Sequence, residues 1–252
     1  MGAFHVAIPA RAGSSRLPGK ALADLKGKPM LQWVYEKACR AGALEVLIAT
    51  DDESIAAAAR AFGACARMTS PTHASGTDRI AEVAGLERWA DEDIVVNVQG
   101  DEPLMPPRII AQVASLLAHS AQAAIATLAT PIDSLEAFLD PNVVKVVTDA
   151  QGRALYFSRA PIPWSRDGAP EGLSSQSCFQ GARRHVGLYA YRVAALRRLS
   201  GLPSSPLESR ERLEQLRALE HGLAIQVADA LERPGPDVNT ADDLRRVAKL
   251  LG

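Results

Sequence analysis

A chain of 252 residues, 47% hydrophobic and 23% charged, has an ordinary globular composition with room for a sizeable core. A formal net charge of −1 gives no general basic surface, which excludes nucleic acid as the main partner. Cys39, Cys65 and Cys178 are too few and too scattered for a disulfide framework or a metal cluster and suit a reducing cytoplasm; Met1–His5 lacks the apolar segment of a signal peptide, and no run reaches the length of a membrane span.

In chain order, Phe4–Ile8 reads as a first buried strand. It runs into Pro9-Ala10-Arg11-Ala12-Gly13-Ser14-Ser15-Arg16-Leu17-Pro18-Gly19-Lys20, a loop on its glycine, serine and proline content. Glycines let backbone N–H groups approach an anion, and Arg11, Arg16 and Lys20 supply positive charge, so the loop is expected to hold a nucleotide triphosphate. It is not a Walker A loop, because five residues separate Gly13 from Gly19 and alanine follows Lys20. It also lacks the G-x-G-x-x-G dinucleotide fingerprint.

Pro29 suits a first helical position, with Leu31, Val34, Tyr35 and Ala38 at helical spacing and Gly42 closing the element. Val46–Ala49 reads as a second strand, and Ser54–Phe62 as an alanine-rich helix. Alternating strands and helices imply a parallel sheet covered on both faces, with ligands beyond the carboxyl ends of the strands. Ser75 or Thr77 caps a helix running to about Ala90, and a helix start of this kind suits an anion or a base edge; His73 alone reads as a surface-loop histidine. Ile94–Val98 is the clearest buried strand and ends in Gln99-Gly100-Asp101-Glu102-Pro103. Asp101 is either a turn aspartate or a ligand for Mg²⁺; its place on the same sheet edge as the cationic loop favours the metal.

Pro106-Pro107 opens a helix to about His119, and Ala124–Ala129 forms another strand. Val143–Val147 and Ala154–Phe157 read as a hairpin around Asp149–Gly152, a departure from strict alternation that marks a smaller mixed part of the sheet. Pro161 and Pro163 forbid a helix over 158–166, leaving Arg159 and Arg166 on an irregular segment suited to a carboxylate. Residues 167–183 read as a flexible loop or lid. Along 185–191, His185, Gly187, Tyr189 and Tyr191 share one strand face, either solvated or lining a sugar pocket. Leu207–Leu219 reads as one amphipathic helix with Leu213 and Leu216 inward and Glu214 and Gln215 at its margin. Ile225–Ala228 is a late strand, and Pro236–Thr240 leads to a closing helix with Asp242 and Asp243 in its first turn.

The segments IPARAGSSRLPGK, LIATDD, SGTDR, VVNVQGDEP, YFSRAPIPW, RHVGLYAYR, LEQLR and VNTADDL, in order from Ile8 to Leu244, resemble the 3-deoxy-manno-octulosonate cytidylyltransferases, or CMP-Kdo synthetases. The resemblance implies a nucleotide-diphospho-sugar transferase fold: a Rossmann-like α/β domain over 1–252, with a mainly parallel mixed sheet flanked by helices. A smaller β-rich sugar-binding and dimerisation extension would occupy about 140–192. It also implies transfer of CMP from CTP to 3-deoxy-D-manno-octulosonate (Kdo) for lipopolysaccharide, with release of pyrophosphate, by a cytoplasmic homodimer that uses Mg²⁺. By motif position, Ala10, Arg11, Ser14, Arg16 and Lys20 would hold the triphosphate, with Lys20, Asp101 and Arg11 at the chemistry. Ser75, Gly76 and Arg79 would neighbour the nucleotide. Gln99, Arg159, Arg166, His185, Tyr189, Glu214 and Gln215 would form the sugar pocket, with Arg159, Arg166 and His185 offering a cation or donors to the sugar carboxylate. One departure stands out: the family's second metal aspartate sits in Val-Asp-Thr, and this chain has Val238-Asn239-Thr240, so Asp101 and Asn239 are the expected ligands, with Asp237 as a substitute for Asn239. Two rivals remain open: a cytidylyltransferase for another acid sugar, such as 8-amino-Kdo or sialic acid, and a non-catalytic nucleotide-binding regulator.

Overall fold

A computed structural model of the chain describes residues 2–11, 13, 17–169 and 171–251. Strand β1 is His5–Ala10, and a small hairpin of β2 (Asp24–Leu25) and β3 (Lys28–Pro29) leads to helix α1, Met30–Cys39. Then come β4 (Glu45–Thr50), α2 (Glu53–Ala61), β5 (Cys65–Met68), α3 (Gly76–Leu86), β6 (Ile94–Asn97), α4 (Pro107–Ala118) and β7 (Ile125–Pro131). The second half holds α5 (Leu135–Leu139), β8 (Lys145–Thr148), β9 (Ala154–Ser158), β10 (Arg183–Arg192), α6 (Val193–Ser200), α7 (Pro206–Glu211), α8 (Gln215–Glu220), β11 (Ile225–Asp229) and α9 (Ala241–Leu250).

The main sheet runs β11-β7-β10-β6-β1-β4-β5, with β8 on β10 and β9 on β8. β1 pairs in parallel with both β4 and β6. The chain winds outward through β4 and β5, then returns to the other side of β1 with β6, so the topological switch lies between β1 and β6. A crevice opens there at the carboxyl edge. β10 runs antiparallel to β6, β7 and β8, and the β8–β9 hairpin is antiparallel, which gives the expected mixed sheet.

Strand alternation explains the two core layers. Val6 and Ile8 face one side with Ile48, Val96, Ile109 and Val113; Ala7 faces the other with Leu47, Val95, Ile80 and Val83. A smaller cluster of Leu25, Met30, Val238 and Val247 docks α9 against the β2–β3 hairpin. Val238 and Val247 are both fully buried, worth roughly 1.5–3 kcal/mol each. The Val238 N–H also donates to the Asp101 carbonyl at 2.9 Å. Together these fix Asn239, distant in sequence, beside Asp101. A fourth cluster gathers Ile132, Phe138, Val143 and Ala182.

Three expectations need correction. Pro29 precedes α1 rather than starting it. Helix α3 ends at Leu86, short of Ala90, with Arg88 in the left-handed region at φ 56°. The segment 207–219 is not one helix. It breaks after Glu211, where Arg212 is left-handed at φ 55°. Arg217 then folds back onto Glu208 through Nε at 2.9 Å and Nη2 at 2.6 Å. The break turns Glu214 and Gln215 inward instead of leaving them at a margin.

Candidate active site

Two close approaches build the crevice. A Cβ on Gly76 would lie 3.0 Å from the Pro9 ring, and one on Gly100 would lie 3.0 Å from the Pro9 carbonyl oxygen. Any larger side chain would push α3 or the 99–101 turn away from β1. Ser75 settles the choice of cap. Its hydroxyl accepts from Asp78 N at 3.1 Å, while the Asp78 side chain accepts from Ser75 N at 3.2 Å.

The resulting cavity, about 320 Å³, is lined by Ala10, Arg11, Lys20, Ser75, Gly76, Arg79, Gln99, Asp101 and Asn239. These nine residues come from four separated stretches of chain. Ser14 and Arg16 lie outside the described residues. Arg79 forms part of the wall: Nη2 pairs with Asp51 at 2.8 Å, and Nη1 donates to the Thr69 hydroxyl.

At the cavity floor Lys20 Nζ lies 2.5 Å from Asp101 Oδ2 and 3.5 Å from Asn239 Oδ1. Two hard oxygen donors thus converge on one cationic atom. Asn239 Nδ2 donates to the Asp237 carboxylate, which turns the amide oxygen toward Lys20. Glu102 sits behind them. Burial, then the charges of Asp101 and Asp237, push its carboxyl up to about 8. Its Oε2 has no hydrogen-bond partner among the described residues. Among those residues no three His, Cys, Asp or Glu side chains converge as a metal nest.

Gln99 also borders a narrow chamber of about 60 Å³ with Tyr189, Tyr191, Glu214 and Gln215. Burial raises the Glu214 carboxyl, opposed by a hydrogen bond from Thr77, and burial raises both tyrosines. Ser75 Oγ donates to Glu214 at 3.4 Å, which links this chamber to the cap of α3. Gln215 Nε2 is buried with no partner among the described residues.

A third opening, about 810 Å³, runs from Glu102 and Asp237 to His185. His185 is not a cation there: burial, then the Arg184 charge, push its imidazole down to about 3. The native ring stays neutral while the unfolded ring takes a proton below about 6.5, so stability is lost as pH falls from 6.5 toward 3. By pH 5 the loss from this group is about 2 kcal/mol. Urea midpoints at pH 7 and pH 5 should therefore separate less for His185→Gln than for the wild type; equal separations would remove this account.

Arg159 and Arg166 line none of these three openings. Arg159 is clamped at both ends: its N–H donates to Glu211 Oε2 at 3.0 Å, its Nε to the Glu211 carbonyl at 2.7 Å, and its carbonyl accepts from the buried Lys145 at 2.7 Å. Arg166 is exposed. Sequence reasoning did not single out Glu102, or Thr77 and Asn97 on the wall of the narrow chamber, for the site. Only Glu102 carried a signal, as a second carboxylate directly after Asp101.

The cytidylyltransferase family model matches residues 5–225. The chain is 56% identical to the 3-deoxy-manno-octulosonate cytidylyltransferase of Halorhodospira halophila, over 99% of this chain and 97% of that protein. It belongs to the 3-deoxy-manno-octulosonate cytidylyltransferase family. The cytidylyltransferase of that name from Thioalkalivibrio sulfidiphilus is 55% identical over 98% of both chains. A solved CMP:2-keto-3-deoxy-manno-octonic acid synthetase, complexed with CTP, superposes at a TM-score of 0.87 with 42% identity, covering 99% of this chain and 98% of that one. A Leptospira borgpetersenii cytidylyltransferase, at 16% identity and a TM-score of 0.62, shares the fold. Among the described residues no helix is long and apolar enough to cross a membrane.

Proposed function

We infer that the chain transfers CMP from CTP to the anomeric 2-hydroxyl of Kdo, releasing pyrophosphate and activating the sugar for lipopolysaccharide synthesis in the cytoplasm. The observation that carries this reading is the cavity at the sheet switch, where Lys20, Asp101 and Asn239 meet beside the capped start of α3. Relatives of the same length and fold bear the matching name. The attacking oxygen forms a bond to the α-phosphorus as the bond to the pyrophosphate oxygen breaks. Such a transfer depends on positioning and charge neutralisation. Arg11 and Lys20 stabilise the pyrophosphate as its charge grows. Gln99 lines both the cavity and the narrow chamber, which supports a place for it between nucleotide and sugar.

The donor set suits Mg²⁺, which takes one or two protein oxygens and completes its shell with phosphates and water. Asp101 and Asn239 would hold it, and Asp237 would orient Asn239. When bound it would neutralise phosphate oxygens and acidify a nearby hydroxyl.

The decisive assay follows pyrophosphate from each of the four nucleoside triphosphates with Kdo, 8-amino-Kdo or sialic acid, with and without Mg²⁺. Release only with CTP, Kdo and Mg²⁺ is expected. CTP binding without release from any sugar would instead indicate a regulator.

The extension also supports a homodimer. Among the described residues β9 pairs only with β8, which leaves an open edge. Leu155 on that strand is 61% exposed, near Trp164 and Leu173 in sequence at 44% and 59%. Sedimentation equilibrium should give about twice the 26.8 kDa chain mass. Leu155→Lys should weaken the association, and a wild type that stays monomeric at high concentration would refute it.

A further inference from the structure

The cavity at the sheet switch holds two kinds of cation. Arg11 is exposed and, among the described residues, pairs with no carboxylate. Lys20 meets Asp101 in a contact partly open to solvent on both sides. Either can turn to an incoming anion. Arg79 differs. Its side chain is 4% exposed and that of Asp51 18%, with Nη2 at 2.8 Å from Asp51 Oδ2. Nη1 donates to the Thr69 hydroxyl and, at 3.5 Å, to the Ser70 carbonyl. The Thr69 hydroxyl gives its own proton to the Thr50 carbonyl at 3.0 Å, so its oxygen faces the guanidinium as an acceptor. The residue after β4 and the turn after β5 thus grip one guanidinium carried by α3. A buried pair of this kind gains little stability over apolar packing, so stability alone does not account for it. Its electrical effect is plain: the carboxylate cancels the Arg79 charge, and the α3 wall of the cavity stays polar with little net field.

We propose that Asp51 is a positioning residue that sets nucleotide selectivity through Arg79, keeping the α3 wall for the uncharged nucleoside and confining polyphosphate to Arg11 and Lys20. With Arg79 unpaired, a bare polyphosphate, released pyrophosphate included, would gain a third cation. CTP would gain less, because its nucleoside fixes where its phosphates lie. The inference rests on the CTP reading above and deepens it, since it divides one cavity into a charged end and a neutral wall.

The test compares CTP with inorganic tripolyphosphate, the same phosphate chain without a nucleoside, by calorimetry free of divalent cations. In Asp51→Asn the ratio of CTP affinity to tripolyphosphate affinity should fall roughly threefold to tenfold, the effect of one further charge a few ångströms away in a partly hydrated site. The fall should shrink with added salt. A merely structural Asp51 predicts that both ligands weaken together, and an unchanged ratio would overturn the proposal. Combining Asp51→Asn with Arg79→Gln makes the wall neutral again and should return the ratio to the wild-type value; a ratio that stayed low would also overturn it. Arg79→Gln alone leaves the carboxylate uncompensated, repels the bare polyphosphate more than CTP, and should raise the ratio. That variant decides the matter if Asp51→Asn does not fold, and no rise would count against the proposal. A wild type that bound no CTP would bring down the functional reading and this inference together. A wild type that bound both ligands, with variants that left the ratio unmoved, would bring down this inference alone.

Discussion

Asp101→Asn should lower pyrophosphate release from CTP and Kdo by about a hundredfold or more, the effect of losing one oriented charge contact in a transition state. The fold should survive. Only the Asp101 carbonyl, not its side chain, accepts from Val238 N, so the backbone link to the C-terminal segment stays. The side chain contributes a single partly exposed ion pair with Lys20, 18% and 27% exposed on its two sides. Such a pair is worth no more than about 1 kcal/mol, which moves the melting temperature by about 4 °C at most in a chain of this size. Catalysis and stability therefore separate cleanly. A companion change, Asn239→Asp, should act in the opposite sense on the metal. It adds a negative charge where the amide oxygen now points, so half-maximal activity should need less Mg²⁺. Without Mg²⁺ it sets a third carboxylate beside Asp101 and Asp237, and the protein should melt lower. Near-normal turnover by a folded Asp101→Asn protein at saturating Mg²⁺ would refute the role given to this carboxylate.

The sheet was legible because its buried strands are short apolar runs bounded by turn residues, as in Ile94–Asn97 and Glu45–Thr50. β5 escaped notice: Cys65-Ala66-Arg67-Met68 is a polar-interrupted edge strand, paired among the described residues with β4 alone and ending at Met68, 40% exposed. The cationic edge of the cavity was legible because Arg11, Lys20 and the glycines between them lie close together in sequence. The narrow chamber was only half legible. Helical spacing runs unbroken through Arg212, and the break there depends on the Arg217–Glu208 pair, a tertiary contact with no periodic signature. Local pattern thus located the crevice, while long-range packing decided which polar atoms face it and in which protonation state.

Lys20→Ala should cost on the order of a hundredfold to a thousandfold in turnover, since a preorganised cation at a developing phosphate charge contributes about 2.7–4 kcal/mol. The loss should fall mainly on kcat, with a smaller change in the KM for CTP, if the contact strengthens as pyrophosphate departs. Lys20→Arg should rescue poorly: the ammonium fits as a point charge between Asp101 and Asn239, and a planar guanidinium is a poor match for that space. The same contacts yield a second, opposite effect. In the nucleotide-free protein the lysine already occupies the two oxygens proposed for Mg²⁺, so ammonium and metal compete for them. Removing the ammonium should tighten Mg²⁺ binding in the absence of CTP, measured by calorimetry, even as turnover collapses. A purely structural lysine predicts another pattern, in which its loss loosens the Asp101–Asn239 pair and weakens metal binding together with turnover. Weaker Mg²⁺ binding by folded Lys20→Ala would therefore show that Lys20 supports the site rather than exchanging partners within it. Tighter binding with lost turnover would mean that the lysine guards the metal position until a triphosphate draws it away.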